Sequence, residues 1–108
     1  MKIPVHVGRY DFKRGKRRDS RSCPVAIALL RSLKRHTKRS VEVGVCDDDI
    51  EIYQDGFVNE KVLIPSRVAK FIDKWDDTIT GLSEAKPALY KHPKTSFKPF
   101  SFSLNINL

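Results

Sequence analysis

Phe100-Ser101-Phe102-Ser103-Leu104-Asn105-Ile106-Asn107-Leu108 closes the chain, and its alternation decides the fold class. An apolar side chain stands at every second position, separated by serine and asparagine. That period places all of them on one face of a strand and the polar set on the other. Strands with one buried and one wet face belong to antiparallel sheets covered on a single side.

Working outward, three more segments repeat the pattern. Ile3, Val5 and Val7 alternate with Lys2, Pro4 and His6, and Gly8 ends the run. Pro4 has no N–H to donate, which sends this strand to an edge or makes it pair through its other side. Val41, Val43 and Val45 alternate with Glu42 and Gly44, and Ile50 and Ile52 alternate with Glu51 and Tyr53. Asp47-Asp48-Asp49 lies between them, so the two runs read as a hairpin around an aspartate-rich turn. Gln54-Asp55-Gly56 supplies a second turn, and Phe57-Val58 starts another short extended piece.

These apolar faces need cover, and two helices provide it. Pro24 suits a first helical position, where its missing N–H has no partner to lose, with Ser22 or Cys23 as the cap. Cys23, Ile27, Leu30 and Leu33, with Ala26 beside them, form the inward stripe. Arg31, Lys34, Arg35 and Lys38 take the outer side and last turns, where cations also oppose the helix dipole. Leu63-Ile64-Pro65-Ser66 opens the second helix; Val68, Phe71, Ile72 and Trp75 share one of its faces, and Arg67, Lys70 and Lys74 another. The expected fold is α+β: a mainly antiparallel four- or five-stranded sheet with two helices on one face, in β-α-β-β-α-β order. It forms one domain over residues 1–108, with a basic connector at 9–21, anchored by Tyr10 or Phe12, and a long basic loop at 76–99.

Three segments carry a resemblance: Ser22-Cys23-Pro24-Val25-Ala26-Ile27-Ala28-Leu29, Ile64-Pro65-Ser66-Arg67-Val68-Ala69-Lys70-Phe71-Ile72 and Lys98-Pro99-Phe100-Ser101-Phe102-Ser103-Leu104. They resemble a family of small uncharacterised proteins of bacteriophages and bacteria. That family pairs a Cys-Pro-Val-Ala helix start with a Leu-Pro-type second helix and a Pro-Phe-x-Phe-x-Leu terminal strand. The basic density before Ser40 and the segment 76–97 depart from its pattern. The resemblance implies a small α+β domain of phage or mobile-element origin and brings no activity or functional residue with it.

Charge is the strongest functional signal. Before Ser40 stand thirteen Lys and Arg residues against Asp11 and Asp19 alone, a formal +11. Residues 40–82 hold four basic and ten acidic residues, a formal −6, within a chain of net charge +8. Such an uneven distribution makes one lobe that attracts polyanions and one that repels them. Lys13, Arg14, Lys16, Arg17, Arg18 and Arg21 on the connector, with Arg31, Lys34, Arg35, Lys38 and Arg39 on and after the first helix, are the candidate phosphate contacts. Arginine suits that work because its planar fork donates two parallel hydrogen bonds. In the late loop Lys86, Tyr90, Lys91, His92, Lys94, Phe97 and Lys98 interleave cations with rings, as single-strand binders do; Tyr90 and Lys91 complete the candidate set. The alternatives are a solvated basic face and a loop that merely docks its rings on the core.

Other chemistry has less support. Cys23 at a helix start, near Arg18 and Arg21, has the setting of a reactive thiol, but no base is readable at a spacing from it, and a small buried residue at a helix cap is the better reading. The aspartates at 47–49 lack the calcium-loop pattern, and Cys23 and Cys46 lack the companions of a zinc site. No metal or cofactor is expected. The beginning, Met-Lys-Ile-Pro-Val-His-Val, lacks the apolar core of an export signal, and no run approaches the roughly 20 apolar residues of a membrane span. The expected setting is therefore the cytoplasm, that of the host where the chain is phage-encoded, with reduced cysteines. The expected function is a non-enzymatic basic module that engages nucleic acid. The alternatives are an inhibitor of a host protein, in the manner of anti-CRISPR proteins, and a small enzyme using Cys23.

Overall fold

The structure is a computed structural model that describes residues 2–38, 40–46, 48–76, 78–79, 92–93 and 97–107, with backbone alone at 78–79 and 92–93. It is α+β, as the alternation predicts. In chain order the elements are β1 (Lys2–Val7), α1 (Arg9–Arg14), α2 (Pro24–His36), β2 (Val41–Val45), β3 (Asp49–Gln54), β4 (Phe57–Leu63), α3 (Ser66–Asp76), β5 (Thr78–Ile79), β6 (His92–Pro93) and β7 (Phe100–Asn105).

The strands form two antiparallel sheets, β1-β7 and β2-β3-β4, where a single four- or five-stranded sheet was expected; β5 and β6 make a separate two-residue parallel pair. The division has a local cause. At the end of β7 the chain meets β4 through side chains: Asn59 Nδ2 donates to the Asn107 carbonyl at 3.1 Å, and the Asn107 N–H donates to the Glu60 carboxylate at 2.7 Å. The register of β4 against β3 slips by one residue at this same point, opposite Ile52 and Tyr53. Such a bulge twists its strand away and ends regular pairing.

In the first sheet Ile3, Val5 and Val7 face Leu104, Phe102 and Phe100 in register, and all but the half-buried Phe100 lie in the core. The His6 carbonyl accepts from Arg31 and the carbonyl of its partner Ser101 accepts from Arg67, so both point away from the strand pair. His6–Ser101 is therefore a non-hydrogen-bonded pair, and by alternation so is Pro4–Ser103. The absent N–H of Pro4 falls on the outer edge, where β7 loses no bond. In the second sheet, Val41, Val43, Val45, Ile50 and Ile52 supply the buried face. Asp55 (φ 51°) and Gly56 (φ 86°) turn β3 into β4; two successive positive φ values make the tight turn that suits hairpin twist.

α2 packs on β1 and β2 and so spans both sheets. Cys23 caps it, its Sγ accepting from the Ala26 N–H at 3.4 Å, and Pro24 stands at the first position. Its fully covered face is Val25, Ala26, Ala28, Leu29 and Leu33, whereas Ile27 and Leu30 are half-buried. The stripe is thus rotated from the expected Cys23–Ile27–Leu30–Leu33 line, because the helix has to meet two sheets rather than one. α3 buries Val68 and Trp75 and half-buries Phe71 and Ile72, the face its spacing predicts.

The connector at 9–21 holds more structure than its composition suggests. Its first part is a helix, α1, whose Asp11 carboxylate accepts from the Gly8 N–H at 2.9 Å. Of the two candidate anchors, Phe12 is buried and Tyr10 is exposed. Phe12, Phe71, Trp75 and Phe97 form one aromatic cluster with ring centroids 5.3–6.1 Å apart. The Trp75 indole N–H donates to the Lys16 carbonyl at 3.0 Å, which ties α3 to the connector.

Candidate nucleic-acid interface

Placement of the cations follows from how the connector is pinned. The Gly15 N–H donates to the Asp11 carbonyl, the Lys16 N–H to the Ser22 carbonyl and the Val45 N–H to the Ser20 carbonyl, each at 2.8 Å. The Asp19 carboxylate accepts from the N–H groups of Arg21 and Ser22 at 3.0 and 3.1 Å, and its carbonyl accepts from Cys23. Side chains along 16–21 therefore project from fixed backbone, and the cations of the chain's first part fall into two groups.

The first group surrounds the start of α2. Arg18, in the left-handed region at φ 55°, donates its N–H to the Asp76 carboxylate at 2.9 Å. Arg21 bonds the Glu42 carboxylate at 3.0 Å and lies over the Tyr53 ring at 5.3 Å. Lys16 is exposed and Arg17 half-buried. Carboxylates from β2 and α3 interlace with these cations, and an exposed pair such as Arg21–Glu42 contributes only about 0–1 kcal/mol.

The second group lies on α1 and on and after the later turns of α2. α1 packs against α2, and Arg31 joins them: its guanidinium bonds both Asp11 oxygens, at 2.7 and 3.0 Å, and the His6 carbonyl at 3.0 Å. Asp11 is fully buried and Arg31 half-buried. The bond to Asp11 is also what holds the Arg31 guanidinium above its ordinary pKa. The exposed Tyr10 ring sits here, with Arg14 Cζ at 4.8 Å and Arg31 Cζ at 6.0 Å from its centroid. Arg9, Lys13, Arg14, Lys34, Arg35 and Lys38 are exposed and make no ion pair among the described residues.

α2 is thirteen residues long, so about 20 Å separates its two ends. The structure therefore brings Arg14 and Arg31 together around Tyr10 and sets Arg35 beside Arg31 on α2, while Arg18 and Arg21 stand near the start of α2 beside Asp76 and Glu42; Lys13, Lys16, Lys34 and Lys38 are exposed and Arg17 is half-buried. Arg39, Tyr90 and Lys91 lie outside the described residues. Tyr10 was missed as a surface residue: its spacing from Phe12 does not say which ring turns inward, and only the α1 register does.

The cysteines line one cleft of about 370 Å³ with Arg18, Asp19, Ser20, Val45, Ile72 and Asp76. Burial pushes the Cys23 thiol up to about 11, outweighing the Ala26 and Val25 N–H groups that favour the thiolate. The thiol is protonated at neutral pH. On the β2-β3 hairpin, ligand atoms of Cys46, Asp49 and Glu51 lie within 4.8 Å of one another. The Glu51 carboxylate already accepts from the Tyr53 hydroxyl, which lowers its pKa and raises that of the tyrosine. No helix among the described residues is long and apolar enough to cross a membrane.

Comparison with protein families, curated proteins and solved structures found no match to this chain.

Proposed function

We propose that the protein is a non-enzymatic binding module whose α1–α2 face engages nucleic acid. One observation carries the reading: Arg14, Arg31 and Arg35 gather around Tyr10 and the hollow beside it, Lys13, Lys34 and Lys38 are exposed on α1 and on and after α2, and Asp11, the carboxylate that meets this cluster among the described residues, is buried against Arg31. Exposed cations that make no ion pair among the described residues suit a phosphate backbone, whose binding is driven by counterion release. The resemblance of the Ser22–Leu29, Ile64–Ile72 and Lys98–Leu104 segments to small phage and bacterial proteins supports a mobile-element setting in a cell's cytoplasm. The test is charge reversal in K13E/K34E/K38E, which should weaken oligonucleotide binding and flatten its salt dependence; unchanged affinity would reject the reading.

A second reading, an inhibitor that docks on a host protein, is favoured by one different feature. β4, at the edge of its sheet, exposes Phe57 at 78% and Val58 at its start and Leu63 at 80% at its end, and an exposed edge strand carrying apolar side chains is a place for another chain to pair. Capture of a host protein that persists after nuclease treatment, and is lost in F57S/L63S, would support it over the first.

A further inference from the structure

Simple charge attraction leaves Tyr10 unexplained. The residue is 57% exposed on a six-residue helix whose anchor is the buried Phe12, so its ring contributes little to the fold. The ring stands among cations that differ in freedom. Arg31 is fixed by both oxygens of Asp11. Arg14 is exposed and makes no ion pair among the described residues. A ligand can therefore draw Arg14 off the ring onto a phosphate, while Arg31, its charge matched by Asp11, stays fixed beside the ring.

Arg31 also lines a hollow of about 200 Å³, shared with His6, Ser32, Arg35 and Ser101. The His6 ring is held there by its Nδ1 against the Ser101 hydroxyl at 2.8 Å. Cations, a ring nitrogen and hydroxyls around an open hollow are the donor set of a phosphate seat. An exposed aromatic face and a phosphate seat joined by one immobile guanidinium match the unit of a nucleotide with a free base.

Resting on the nucleic-acid reading of this face, the geometry points to single-stranded nucleic acid as its ligand, an unpaired base stacking on Tyr10 while the neighbouring phosphate sits against Arg35 and His6. A duplex keeps its base faces stacked internally and offers Tyr10 only sugar and phosphate, so the ring adds nothing there. Stacking is tolerant of sequence, since every base has a π-face.

The experiment is fluorescence anisotropy at low salt with labelled oligo(dT) and oligo(rU) of about a dozen nucleotides, the site size of small single-strand binders, and with a matched DNA duplex. Wild type should prefer the single strands. Y10A should lose about 5- to 150-fold on them, the range found for removal of a stacking ring, with duplex binding and salt slope unchanged. Y10F should keep wild-type affinity, and R35A should weaken the single strands more than the duplex. Circular dichroism confirms that Y10A is folded. Equal loss on duplex and single strand, or no loss in Y10A, overturns the inference, and the nucleic-acid reading then stands if K13E/K34E/K38E still weakens binding to both. Wild-type affinity in that triple variant, or no binding of any probe, overturns both.

Discussion

The Arg31 guanidinium closes on both oxygens of the Asp11 carboxylate, at 2.7 and 3.0 Å, across twenty residues of sequence. Asp11 is wholly buried and also caps α1 through the Gly8 N–H. R31A leaves that carboxylate buried with only the cap as partner. Loss of one member of a buried pair costs about 3–5 kcal/mol; because Arg31 is partly exposed, the expected cost is about 2–3 kcal/mol. Urea unfolding followed by emission of Trp75, the chain's single tryptophan, measures it. A change under about 0.5 kcal/mol, the size of an ordinary surface substitution, would show that the pair does not hold α1 on α2.

Gly15 ends α1 with an unremarkable φ of −67°, so its need for glycine is spatial. A Cβ there would lie 2.6 Å from Pro24 Cγ and 2.8 Å from the Asp11 carbonyl oxygen. Neither a ring at a helix start nor a carbonyl accepting the Gly15 N–H can retreat cheaply. G15A should lower stability by about 1–3 kcal/mol, the usual cost of overpacking. Gly56, by contrast, meets nothing within 4 Å but has φ +86°, so G56A should lose stability through backbone strain alone. Equal wild-type stability in G15A would mean that the connector enters α2 by another path.

The buried thiol predicts a pH effect of definite sign. Cys23 ionises near 11 in the folded chain and near 9 when unfolded. Between those values the unfolded state has released the proton and the folded state keeps it, so stability falls as pH rises. The difference corresponds to roughly 2–3 kcal/mol at 1.36 kcal/mol per pKa unit. Tyr53, raised by Glu51, adds a slope of the same sign, so the contrast to measure is wild type against C23A. The variant should lose less stability than wild type from pH 9 to 11. Alkylation below pH 9 should modify the exposed Cys46 first and Cys23 only on unfolding. Matching pH slopes, or rapid native modification of Cys23, would contradict this.

Much of the fold was legible because it rests on period and punctuation. Pro24 behind Cys23 started α2, Asp55-Gly56 turned β3 into β4, and the spacing of Val68 and Trp75 placed the buried side of α3. α1 was not legible: four of its six residues are charged, and a single buried ring makes no stripe. β4 was read as a short piece because its middle, Asn59-Glu60-Lys61, is polar and bulged and its apolar residues are largely exposed. The split into two sheets escaped for a different reason. Alternation shows that a strand has a buried face, but not which strand stands beside it. The candidate site was legible as charge and illegible as arrangement, since nothing local shows Arg31 reaching Asp11 or Tyr10 turning outward while Phe12 turns in.

That arrangement predicts unequal cations. Each phosphate contact removed from a single-strand binder lowers the slope of log K against log salt by about 0.7. Lys13 on α1, Lys34 on α2 and Lys38 just after it are exposed and make no ion pair among the described residues. K13E/K34E/K38E should therefore reduce the slope by about 2. Arg18 and Arg21 stand at the other end of α2 beside Asp76 and Glu42, where a strand crossing the α1–α2 face would meet carboxylates as well as cations. R18Q/R21Q should leave the slope almost unchanged, although it removes two charges from the same basic stretch. Salt titrations of all three proteins on one oligonucleotide make the comparison. Equal loss of slope per charge in both variants would mean that net charge, rather than the face assembled around Arg31, governs attraction.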